Sequence, residues 1–153
     1  MGISYKNPRY FLGTSFFEAT DTKCTNRLDS INFLIKFVQT VVIFEEDQVI
    51  YGKEDFCSFP ENTFALGLGD CEDKCKAFAF LIHHYFDQID IIFLNYPGHI
   101  RIGLHDPVLA IENSPFQEYE GLRYLETELQ DDRTVLGDER FAIFHSTPSF
   151  ITK

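Results

Sequence analysis

Four residues of this chain carry a thiol, Cys24, Cys57, Cys71 and Cys75, and the sequence around Cys71 sets it apart from the others. Gly67-Leu68-Gly69-Asp70 makes a tight turn that ends on a good helix N-cap, with Asp73 three residues on in capping-box position. Cys71 therefore falls at the first position of a helix, where unpaired N–H groups and the macrodipole favour a thiolate. A thiolate is a nucleophile for acyl chemistry if an imidazole stands by to take its proton and later return it to the leaving group. His99 is the candidate: it opens an alternating strand after the turn Tyr96-Pro97-Gly98, placed to project toward a helix packed on that strand. The imidazole needs an acceptor on its second nitrogen, and Glu126, on the next alternating strand, is the candidate for that role. A helix-start cysteine is more often a packed residue than a nucleophile. The conjunction of turn, acidic cap, Cys, His and carboxylate carries the expectation.

These residues need elements to hold them. From Asn26 onward, Leu28, Ile31, Phe33, Leu34, Ile35, Phe37, Val38 and Val41 predict a helix buried on most sides, with Thr25 or Asn26 as N-cap. Residues 45–60 are polar and turn-rich, and Pro60 to Gly67 predicts a short helix closed by glycine. The helix opened by Asp70 continues through Cys75, Phe78, Ala79, Ile82 and Phe86 at helical spacing. The period then changes. Ile89 to Asn95 reads as a buried strand, and His99 to His105 alternates with Ile100, Ile102 and Leu104 on one face. Gly121 to Glu128 alternates too, with Leu122, Tyr124, Glu126 and Glu128 on one face; Phe141 to Phe144 reads as a last strand, and 9–14 and 16–19 as short extended pieces. Helices first and strands after predict an α+β fold with an antiparallel sheet.

Composition bounds the function. The chain has 153 residues, a formal charge of −11, 44% hydrophobic and 16% aromatic residues, which fits one domain over 1–153 with a core over about 26–145 and excludes a disordered acidic tail. So acidic a surface argues against nucleic acid and anionic membrane as partners. No charged-then-apolar leader opens the sequence and no apolar run reaches the ~18 residues needed to span a bilayer, so the segment reads as soluble and, by default, cytoplasmic. It is also compatible with a domain excised from a longer, extracytoplasmic protein, where a Cys24–Cys57 disulfide is one alternative.

No cofactor and no metal is expected. His83 and His84 lie roughly 18 Å along the helix from Cys71 at 1.5 Å per residue, too far to share ligands with it. Asp70, Glu72 and Asp73 are explained by helix capping without a calcium loop. Cys75 reads as packed, Arg101 as either a substrate contact or half of a salt bridge, and the acidic stretch 112–128 as surface charge.

The segment GLGDCEDKCKAFAFLI, 67–82, resembles the cysteine motif of transglutaminase-like domains, PGHIRIGL, 97–104, their histidine strand, and GLRYLETE, 121–128, the strand of the third residue. FVQ at 37–39 and FPENTFALG at 59–67 are similar to the segments that precede the cysteine in prokaryotic members. The resemblance implies a papain-like core, a central Cys-bearing helix packed on an antiparallel sheet. It makes Cys71 the nucleophile, His99 the general base and acid, and Glu126 the orienting carboxylate where many members have Asp. Gln39 and the backbone N–H of Cys71 become the oxyanion donors. The implied activity is acyl transfer on protein or peptide amides, as a cysteine peptidase, amidase or transglutaminase. The alternative is a non-catalytic peptide-binding module of the same fold.

Overall fold

Asn26 caps the first helix, α1 (Arg27–Val41), its side-chain oxygen accepting from the Asp29 N–H at 2.9 Å. The structure, a computed structural model, describes residues 26–86, 88–109, 111, 114–130, 135–136 and 147–153. Ile31, Leu34, Ile35 and Val38 of α1 are buried, as their dense spacing requires. The chain leaves α1 through β1 (Ile43–Phe44), which pairs in parallel with β2 (Leu68–Gly69).

Between them lie two short helices. α2 (Asp47–Tyr51) falls in the stretch that reads as turn-rich. It is too short to show an apolar period and is held by local contacts: Asp47 accepts the Phe56 N–H at 2.7 Å, and the Tyr51 and Phe56 rings meet at 4.3 Å. α3 (Pro60–Leu66) begins on a proline and ends at Gly67, whose φ of 66° is the left-handed cap that a glycine provides without strain.

α4 (Cys71–Tyr85) is the central helix, packed against α1, α3 and the sheet. Phe78, Leu81 and Ile82 are fully buried. Each contributes about 1.5–3 kcal/mol relative to exposure, so this helix is fixed by burial more than by propensity.

The sheet is antiparallel with the order β5-β6-β4-β3-β7: β3 (Asp90–Tyr96), β4 (His99–His105), β5 (Phe116–Tyr119), β6 (Leu122–Thr127) and β7 (Phe150–Thr152). The fold is thus α+β. One sheet face, with Ile91, Ile102, Leu104 and Leu125, packs into the helical core; the other buries Ile92, Leu94 and Tyr124 in a smaller cluster. β5 lies inside the acidic stretch that reads as surface, its Phe116 and Glu118 turned outward along an edge strand. The expected strand at 141–144 and the pieces at 9–14 and 16–19 lie outside the described residues. Among the described residues no helix is long and apolar enough to cross a membrane.

Candidate active site

The N-terminus of α4 is built tightly. Asp70 accepts the Asp73 N–H at 2.9 Å, which is the N-cap expected. Asp73 is the less comfortable acid of the two: burial and the charges of Asp70 and Asp47 push its carboxyl up to about 6. Gly69 lets the preceding strand approach the helix, since a Cβ there would lie 2.8 Å from that of Asp73. Cys71 follows, half-buried, at the first helical position.

Cys75, one turn on, is a different thiol. It is 1% exposed, its sulfur donates toward the Ile100 carbonyl at 3.8 Å, and burial, with the Glu128 charge behind it, pushes its pKa far up. Cys57 is an exposed free thiol that accepts from Lys76 Nζ at 3.0 Å, and Cys24 lies outside the described residues.

His99 opens β4 directly after the Pro97-Gly98 turn, and its ring stands between two partners. One is Cys71, whose thiol interacts with the ring; the other is Glu128, whose Oε2 is 2.7 Å from His99 Nε2. With Nε2 on the carboxylate, Nδ1 is left for the sulfur. The interaction with Cys71 first and the bond to Glu128 second outweigh burial and push the imidazole up to about 9, so the ring is protonated at neutral pH. Burial alone would raise Glu128, but the His99 bond and charge and the Arg101 charge hold it below the usual carboxylate range.

The carboxylate on His99 is therefore Glu128, two positions beyond the Glu126 that the sequence suggests. Glu126 is 3% exposed and accepts instead from Arg101 Nη1 at 2.7 Å and the Tyr96 hydroxyl at 2.9 Å, both on Oε1. Register decides between them. β4 and β6 pair Ile102 with Thr127 and Gly103 with Glu126, so continuing the ladder sets Arg101 across from Glu128 and leaves Glu126 one step too far from His99. Arg101 forms salt bridges to both carboxylates, and its Nε is 2.9 Å from Glu128 Oε2.

Gln39 does not face the cleft. It is buried on α1, and its Nε2 donates to the Glu128 backbone carbonyl at 2.9 Å, so it holds the segment that carries Glu128.

A cavity of about 530 Å³ opens beside Cys71 and His99, lined also by Phe44, Glu46, Asp47, Gln48, Glu54 and Asp70. Carboxylate oxygens of Asp47, Asp70 and Asp73 lie within 4.8 Å of one another, the geometry in which three acids share a proton or could surround a small cation. Asp47 and Gln48 were invisible in the sequence because α2 was. Glu128 had a signal, its place two residues from Glu126 on the same face, but alternation alone does not fix register.

Set beside known proteins, the chain matches no protein-family model and no curated protein.

Proposed function

We propose that the protein is a thiol-dependent acyl-transfer enzyme of transglutaminase-like, papain-like type, acting on protein or peptide amides through Cys71, His99 and Glu128. The observation that carries this reading is the His99 ring held between the Cys71 sulfur and the Glu128 carboxylate. The GDCED, GH and strand motifs at 67–82, 97–104 and 121–128 support it independently.

The Cys71 thiolate attacks the amide carbonyl, forming the S–C bond and an oxyanion. The Cys71 backbone N–H, which has no intrahelical acceptor at the first position, is one donor to that oxyanion, and the Gln48 amide on the same cavity is available as a second. His99 then gives its Nδ1 proton to the departing amine as the C–N bond breaks, leaving a thioester. Water or a second amine, deprotonated by His99, attacks the thioester and releases Cys71. Glu128 stays ionised throughout and holds the ring in orientation.

Iodoacetamide labelling tests this. Cys71 should react well below the pH at which an ordinary thiol does, and His99→Ala should abolish that reaction. Exposed Cys57 labelling first, with Cys71 inert in the native protein, would sink the proposal.

A further inference from the structure

Two buried carboxylates and one arginine lie behind His99, and they are linked in a chain. Arg101 Nη1 binds Glu126 Oε1, and Arg101 Nε binds Glu128 Oε2, the same oxygen that His99 Nε2 uses. The side chains are 14%, 2% and 9% exposed for Arg101, Glu126 and Glu128, so water screens these contacts weakly. Glu126 is fully engaged: the Tyr96 hydroxyl shares Oε1, Gln117 Nε2 lies 3.3 Å from Oε2, and the guanidinium sits 5.1 Å from the centre of the Tyr96 ring.

We propose that Glu126 is a positioning residue, which draws on Arg101 and so sets how much of the Glu128 Oε2 charge is left for His99. The inference rests on the Cys71-His99-Glu128 triad. Its logic is competition for one oxygen. A guanidinium held by Glu126 takes less of Glu128, and a guanidinium released from Glu126 takes more. Among the described residues, the other titratable groups lining the cavity that His99 shares are Cys71 and Asp70 from the start of α4 and Glu46, Asp47 and Glu54; all of these stay as they are in the variants that test the idea.

The test is the NMR titration of the His99 imidazole, one of five histidines, assigned with a His99→Asn variant. Glu126→Gln removes the pull on Arg101 and should lower the His99 midpoint by about one unit, tenfold in proton affinity. Adding Arg101→Gln to it frees Glu128 Oε2 and should lift the midpoint back to the wild-type value or above. Tyr96→Phe keeps every charge, strengthens the Glu126 hold on Arg101, and should move the midpoint up; it serves if Glu126→Gln does not fold. A purely structural Glu126 would lower stability and leave the midpoint unmoved, which would overturn the inference, as would a double variant that titrates with Glu126→Gln. A wild-type His99 titrating at about 6.5 would instead overturn the triad reading beneath it.

Discussion

Asp73 is an acid that the fold should be better off without. It is 1% exposed, its carboxyl sits with those of Asp47 and Asp70, and its pKa is raised from 3.8 to about 6, by burial first and by the two neighbouring charges next. A carboxyl whose folded pKa is raised favours the native state in its protonated form. Its native-state advantage is complete below the unfolded pKa and is lost as pH rises through the folded one, here between about 4 and 6. The loss is about two pKa units at 1.36 kcal/mol each, or about 3 kcal/mol. Asp73→Asn keeps the shape, removes the charge and lets the amide donate to the acids around it. The variant should therefore be more stable than wild type at pH 7.5 by up to about 3 kcal/mol, a rise in Tm of roughly 6–12 °C for a chain this size. At pH 4 the two proteins should melt together. The melts belong in EDTA, since a divalent cation would neutralise the same three acids. Asp73→Asn destabilising the protein at pH 7.5, or shifting Tm equally at both pH values, would refute the reasoning.

The elements that hold the site give two more expected outcomes. Gly69→Ala drives a Cβ to 2.8 Å from that of Asp73, so it should lower stability by about 1–3 kcal/mol in a denaturant melt and slow Cys71 alkylation as the helix start is displaced. Asn26→Ala removes the N-cap of α1 and should cost about 1 kcal/mol while leaving the alkylation rate unchanged, because the cap lies at the end of α1 remote from Gln39.

The helices and central strands were legible where apolar period and punctuation agreed. Asn26, Pro60 with Gly67, and Asp70 mark helix ends by chemistry that acts within a few residues, and β4 has the bounds that its alternation predicts. The strand leading to Glu128 was legible, but the carboxylate that meets His99 was not: choosing Glu128 over Glu126 needs the pairing of Ile102 with Thr127, a long-range fact. Gln39 shows the same limit. Its place on α1 was clear, but its bond to the Glu128 carbonyl spans 89 residues of sequence. α2 and β5 were missed for a local reason, since five and four residues are too few to show a period among acidic neighbours.

The three groups at the heart of the site come from α4, the start of β4 and the chain just past β6, spaced 28 and 29 positions apart, since 99 − 71 = 28 and 128 − 99 = 29. No single segment contains all three groups. On the proposed reading, Cys71 has its partners only once the sheet has closed on the helix, and a local opening that frees only the chain just past β6 takes Glu128 from His99 while the rest of the protein stays folded. On the proposed reading, the thiol at the helix start is in this sense a reporter on its own tertiary structure, since Glu128 can leave His99 while Cys75, one turn deeper, stays buried.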